Sequence, residues 1–303
     1  MMSDDTLISR AKTVAFQGEP GAYANLAAKE AVPQATFVGK PTFEAALEAV
    51  RSGETDLAVV PVENSVYGRI ADVHQLVRHF GRAVKGFVPN EGDKGLFILG
   101  EHFHRVRHQL LGLPGAKLAD IKTVFSQAPA LGQVRIVTKQ LGLVEKQWYD
   151  TAGSARHVAE LKDPTCAAVA STLAGEIYGL EVLKPNIEDT SNNMTRFLIV
   201  GSEPDDPPND GRAVITTFLF GVRNIPAALY KAMGGFATNG VNMTKLESYQ
   251  LGGSFNATEF YADIEGHPDQ HNVRLALEEL SFFSSRVIML GVYPAHPYRN
   301  EMP

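Results

Sequence analysis

Residues 201–212, GSEPDDPPNDGR, divide the chain. Acidic residues, two glycines and adjacent prolines stand together there with no apolar periodicity, which is the composition of a linker. About 200 residues precede it and about 90 follow, close to common domain sizes. The reading places one domain at 12–201, the linker at 202–212 and a second domain at 213–295.

Downstream of the linker, apolar alternation predicts strands at Ala213–Phe220, Val241–Tyr249, Phe255–Ala262 and Arg286–Tyr293. Helical spacing falls at Ile225–Phe236 and Gln270–Phe282. The order β-α-β-β-α-β is that of the ferredoxin-like split unit. Upstream, short strands at Thr13–Phe16, Leu57–Val60, Gly95–Leu99, Ile121–Ser126 and Ala167–Ala170 alternate with helical patterns. Thr42 is placed to cap a helix carrying Phe43, Leu47 and Val50, and Ala22–Ala31 and Ala71–Phe80 also read as helices. Such alternation implies an α/β domain with parallel or mixed sheets and a ligand cleft beyond the carboxyl ends of its strands.

Composition narrows the partners. Net charge is −6 with both signs mixed along the chain, so no basic surface for nucleic acid is expected. Cys166 is the only cysteine, which excludes an intrachain disulfide and a multi-thiolate metal site. No apolar run is long enough for a bilayer, and Met1–Arg10 lacks a signal-peptide core, so a cytoplasmic location away from membranes is expected.

Several polar groups fall where strands end. The turn Gly18-Glu19-Pro20-Gly21 before Ala22 presents helix N-terminal N–H groups, which favour anions, or is simply a tight strand–helix turn. Glu63, Asn64 and Ser65 follow a strand, as ligand groups or as a capped turn. Ser126 ends another strand, with Gln133 one to two helical turns further on, and Asp150 or Thr151 can cap a helix start. Asn192, Asn193, Thr195 and Arg196 gather on what reads as a loop ahead of a strand beginning at Phe197. Arg196 has the planar fork that suits a carboxylate, or marks the surface end of that strand. His102 and His104 share a face only if they lie on a strand. Arginines beside them and His108 disfavour a cation, so no metal site is expected. No Walker loop, dinucleotide fingerprint or nucleophile elbow occurs.

Over roughly residues 13–294 the chain resembles the prephenate dehydratase family. FQGEPGAYA resembles its FxGPxGTFS-type turn, VPVENSVYG its PIENSxxG segment and DTAGSA its (S/D)TAxAA helix start. NMTRF matches its Asn-x-Thr-Arg-Phe signature. IPAALYKAM and NMTKLES resemble the segments by which family ACT domains bind phenylalanine. The resemblance implies two α/β lobes like a type II periplasmic binding protein, with prephenate in the cleft, and a C-terminal ACT domain. It makes Thr195 the essential residue, with Glu63, Asn64, Ser126, Gln133, Thr151 and Arg196 as catalytic companions. Gly21, Ala22, Ser65, Asn193 and Phe197 would contact substrate. L-phenylalanine would lie between two ACT domains of a homodimer or homotetramer, against Asn224, Ile225, Ala227, Ala228 and Leu229 on one side. Asn242, Leu246, Glu247 and Ser248 would form the other side. The chain departs from the family where a Ser-His pair reads Ser126-Gln127, and where Gly-Ala-Leu and Glu-Ser-Arg-Pro read Ala227-Ala228-Leu229 and Glu247-Ser248-Tyr249-Gln250.

The implied reaction loses CO2 and water as an aromatic ring forms. It needs a positioned dianion and a proton for the leaving oxygen, and no cofactor. An arogenate dehydratase and a non-catalytic amino-acid-responsive binding protein are the alternatives.

Overall fold

A computed structural model describes residues 6–83, 95–250 and 257–301. The chain opens with α1 (Leu7–Arg10), β1 (Thr13–Gln17), α2 (Tyr23–Ala31), β2 (Thr36–Lys40), α3 (Phe43–Arg51), β3 (Leu57–Asn64) and β4 (Gly68–Arg69). Next come α4 (Ala71–Val77), β5 (Arg82–Ala83), β6 (Phe97–Arg105), β7 (Gln109–Gly112) and β8 (Thr123–Ser126). Then follow α5 (Ala128–Gly132), α6 (Arg135–Gln140), β9 (Val144–Gln147), α7 (Thr151–Leu161), β10 (Cys166–Ala170), α8 (Thr172–Tyr178), β11 (Glu181–Lys184) and β12 (Met194–Gly201). The C-terminal run is β13 (Val214–Val222), α9 (Ala228–Thr238), β14 (Met243–Gln250), β15 (Ala257–Glu265), α10 (His271–Phe283) and β16 (Ser284–Pro294). No helix among the described residues is long and apolar enough to cross a membrane.

Two α/β sheets build the first part. One has the order β2-β1-β3-β12-β6, with β4 against β3, and β1 pairs in parallel with both neighbours. The other runs β11-β7-β10-β8-β9, mixing parallel and antiparallel pairs. Caps set the helix starts. Thr42 accepts from Ala45 N–H at 3.1 Å ahead of α3, and Ser171 from Ala174 N–H at 3.0 Å ahead of α8. Short helices with alanine-rich faces let these layers approach closely. Ala152, Ala155, Ala168, Ala170 and Ala174 are all buried in one core cluster with Leu111 and Phe125.

The C-terminal elements form an antiparallel sheet ordered β14-β15-β13-β16-β5, the strand order of the split unit that alternation predicts. Residues 255 and 256, where the third of those strands was expected to begin, lie outside the described residues. β13 is buried along its whole length because strands flank it and α9 and α10 share its core cluster. Its two polar residues are satisfied inside: Thr217 Oγ1 donates to Asp263 Oδ1 and lies 2.7 Å from the Tyr293 hydroxyl, and Thr216 Oγ1 donates to Gly266 O.

Compactness follows a different division from the linker. Residues 11–74 and 102–197 form one unit. Residues 75–101 belong with the N-terminal helix and 198–301 in the other. The second unit is stitched by β5 on β16 and by a buried carboxylate: Glu259 accepts from Arg78 Nε at 2.7 Å and lies against the Arg286 guanidinium. Residues 75–101 therefore complete the C-terminal unit although they stand on the far side of the linker.

Candidate functional site

The site lies wholly within the unit of residues 11–74 and 102–197. A cavity of about 410 Å³ is lined there by both α/β sheets' loops and helix starts, a volume suited to a small ligand. Asn64, Thr195, Phe197, Gln133, Thr151 and Ala22, all expected from the sequence, are on its wall.

Strand parity decides which of the others reach it. β12 begins at Met194, three residues earlier than the sequence suggests, so Thr195 and Arg196 are strand residues with opposite facing. β3 likewise runs through Glu63 and Asn64. Asn64 Nδ2 donates to Thr195 Oγ1 at 2.9 Å on one face, while Glu63 Oε1 and Arg196 Nη1 stand 3.8 Å apart on the other. Arg196 is 3% exposed and is not on the cavity wall. The expectation of a loop at Thr195 and Arg196 ahead of a strand beginning at Phe197 is corrected: both lie within β12.

Ser126 is also turned away: its hydroxyl donates to Val169 O at 2.7 Å, fully buried. Ser65 Oγ bridges Asn192 O and Met194 N–H, both at 2.9 Å, and so fixes the start of β12 instead of lining the cavity. Gly21 shapes the wall without facing it. Its φ is +93°, and a side chain there would place Cβ 2.7 Å from Ala174 Cα.

A hydrogen-bonded chain runs from Thr195 inward. Asn64 Nδ2 also donates to Asn193 Oδ1 at 2.7 Å, and Asn193 Nδ2 donates to Gln133 Oε1 at 2.8 Å. His108 Nε2 donates to the same Gln133 oxygen at 2.7 Å. Nδ1 of that imidazole lies 2.9 Å from the Tyr23 hydroxyl, whose one proton is shared between that nitrogen and Arg107 O at 3.0 Å. Tyr23 and His108 both line the cavity, and neither was singled out as a site residue from the sequence. His108 stands immediately before β7 with nothing in its neighbours to mark it. Only the resemblance of the FQGEPGAYA segment hinted at Tyr23.

The wall also has features suited to anions. α2 starts at Tyr23 with no side-chain cap, and Tyr23 and Ala24 line the cavity from its first turn, where backbone N–H groups have no acceptor within the helix. α7 starts at Thr151, capped by Asp150, which accepts from Gly153 N–H. Arg69 is the one lysine or arginine among the described lining residues. Asp150 Oδ2 is buried with no described partner, and burial pushes that carboxyl up, partly offset by Gly153 N–H.

This arrangement meets independent comparisons with known proteins. A profile described as "Prephenate dehydratase" matches residues 14–205. The chain belongs to the prephenate dehydratase family. A protein of Komagataeibacter europaeus described as a bifunctional N-acyl-homoserine lactone acylase/prephenate dehydratase is 47% identical over 290 residues, 96% of this chain and 98% of its own. An Arabidopsis thaliana chloroplastic arogenate dehydratase/prephenate dehydratase is 37% identical, covering 93% of this chain and 71% of the relative. The crystal structure of the Arthrobacter aurescens prephenate dehydratase in complex with L-Phe superposes with a TM-score of 0.81 at 28% identity, over 96% of this chain and 91% of that one. The chain is thus a lyase that dehydrates prephenate.

His108 carries a pH signature. Burial pushes its imidazole below the ordinary value, against the Gln133 hydrogen bond and the Glu188 charge that favour protonation. The unfolded chain therefore binds the proton first as pH falls through about 6.5, so stability declines below that pH. Urea unfolding of the parent and of His108→Gln at pH about 7.5 and 5.5 checks this. The parent is expected to lose more stability on acidification than the variant, and equal losses would show a protonated His108 in the folded protein.

Proposed function

We propose that the Thr195 hydroxyl donates a hydrogen bond to the leaving oxygen of prephenate inside this cavity. The observation that carries the reading is the Asn64 contact. Thr195 Oγ1 accepts from Asn64 Nδ2, so its own proton is directed to another acceptor, and the cavity is where that acceptor arrives. The ring carboxylate leaves as CO2, its C–C bonding pair becomes a ring double bond as the C–O bond breaks, and the departing oxygen takes a proton to leave as water. Positioning and prearranged dipoles supply the acceleration. First-turn N–H groups of α2 and α7 and the Arg69 guanidinium hold the two carboxylates, a role the sequence had suggested for Arg196. In the proposal Arg196 and Glu63 act from behind the strand, fixing the backbone that carries Thr195. Thr195→Ala is expected to lower kcat on prephenate by about 10²-fold or more, with KM and the circular-dichroism spectrum little changed. Near-parent kcat would remove Thr195 from the chemistry. The same preparation assayed on prephenate and arogenate identifies the preferred acid.

We infer further that residues 213–295 form an ACT domain that binds L-phenylalanine between two copies of the chain. Supporting this are the split-unit strand order, the edge position of β14 and the L-Phe complex of the Arthrobacter relative. An edge strand invites pairing, which favours a dimer as the minimal assembly. Asn224 and Ile225 precede α9, and Ala227, Ala228 and Leu229 form its start. Asn242 donates to Glu265 Oε2 at 3.0 Å just before β14, which carries Leu246, Glu247 and Ser248. Glu247 pairs with Lys245 at 3.2 Å. Ala227 is the cap of α9 and is left-handed, with φ +61° and ψ +18°. That conformation disfavours any residue with a Cβ by about 1–2 kcal/mol, which explains why a glycine suits the position. Ala227→Gly is expected to raise the thermal midpoint and to tighten L-phenylalanine binding in calorimetry. Unchanged values for both would show that this turn bears on neither.

A second activity is favoured by the 47% identity with the Komagataeibacter protein over nearly the full length of both chains. We extend its acylase activity to this chain as a reading tested by mass spectrometry of an N-acyl-homoserine lactone incubation. Release of the fatty acid supports it, and intact substrate sinks it.

A further inference from the structure

Outside the cavity, α2 carries Glu30 in its last turn towards β6. His102 and His104 are two residues apart on β6, hence on one face. Arg105 takes the other face, where it donates to Ser191 O at 2.7 Å. The strand thus separates the histidine pair from the adjacent arginine whose charge argued against a cation in the sequence. His102 Nε2 and His104 Nδ1 lie 2.8 and 2.9 Å from the same oxygen, Glu30 Oε2. The three donor atoms all lie within 4.8 Å of one another.

We propose that Glu30, His102 and His104 form a binding site for a divalent transition-metal cation of the zinc class, with water completing its shell. Two imidazoles and one carboxylate are a donor set for Zn²⁺ and its first-row neighbours, whereas Ca²⁺ and Mg²⁺ prefer oxygen ligands throughout. Zn–N and Zn–O bonds of about 2.0–2.1 Å put tetrahedral ligands about 3.3 Å apart. The carboxylate must therefore retreat a few tenths of an ångström from each ring, and the two ring nitrogens, which lie within 4.8 Å of each other, must settle at the same spacing. Its side chain is 47% exposed, which gives it that freedom and gives the ion an entry path. His104 is 8% exposed, and its ring packs beside Tyr23 with centroids 5.9 Å apart, so one ligand is held in place beforehand. A carboxylate is an anion throughout the pH range in which imidazoles are neutral ligands. Metal binding would clamp the last turn of α2 to β6. The inference does not depend on the dehydratase reading, since none of the three residues lines the cavity.

The test uses full-length, tag-free protein stripped with chelator and titrated with ZnCl2 by calorimetry, and with Co²⁺ while visible absorption is followed. One Zn²⁺ per chain is expected, with a Co²⁺ spectrum of low-symmetry four- or five-coordination. Glu30→Gln and His102→Asn are the informative variants because neither residue is buried. Each is expected to weaken Zn²⁺ binding by about tenfold or more, with an unchanged circular-dichroism spectrum. Absence of Zn²⁺ binding to the parent, or equal binding by the parent and both variants, would overturn the proposal.

Discussion

Asn64 uses its whole side chain. Its carbonyl oxygen accepts from the backbone N–H groups of Val66 and Tyr67, at 3.0 and 2.9 Å. Its amide nitrogen reaches Asn193 Oδ1, Met194 O and Thr195 Oγ1. One residue therefore folds the turn after β3, holds the start of β12 and orients the hydroxyl in the cavity. No other common side chain of similar size offers both a two-lone-pair acceptor and a two-proton donor. Aspartate would keep the turn and lose the donor, whereas leucine would lose both. The chain of amides beyond it, through Asn193 and Gln133 to His108, stays neutral. The cavity wall is thereby cross-linked by neutral groups.

Much of the architecture was legible because periodicity is local. The split unit after the linker emerged element by element, since its helices and strands each show one face to one core. The strand boundaries near the site were less legible, and the error mattered. Asn192, Asn193, Thr195 and Arg196 have loop composition, yet pairing extends β12 back to Met194. Side chains alternate once the segment is a strand, so three residues of extra strand were enough to put Arg196 behind the wall and Thr195 on it. Ser126 fails for a related reason: the sequence shows a hydroxyl at a strand end but not the Val169 carbonyl that takes its proton. His108 and Tyr23 meet across more than eighty residues of chain, and a contact of that range leaves no trace in spacing.

Ala227 shows the opposite case. The departure from glycine was visible in the sequence, but its physical content was not. The backbone there is left-handed, so the substitution acts first on conformational strain and only then on any ligand. The buried Glu259 between two arginines was equally invisible, because Arg78 stands before the linker and Arg286 after it. Ions of this kind are held by mutual geometry, and no local pattern encodes them.

The interleaving of the two compact units bears on how the chain is made. Residues 75–101 leave the ribosome while the first unit is still incomplete, and the remainder of their own unit begins only at residue 198. At about 5–20 residues per second, that interval lasts roughly 5–20 s. Throughout it Arg78 has yet to meet Glu259, and β5 has no β16 on which to pair. Vectorial synthesis thus exposes an apolar segment, including Phe80, Leu96 and Ile98, for far longer than a local hairpin would need to close. Nascent chains of this topology should lean on chaperones during that window, and their yield should respond to translation speed more than to the stability of the finished fold.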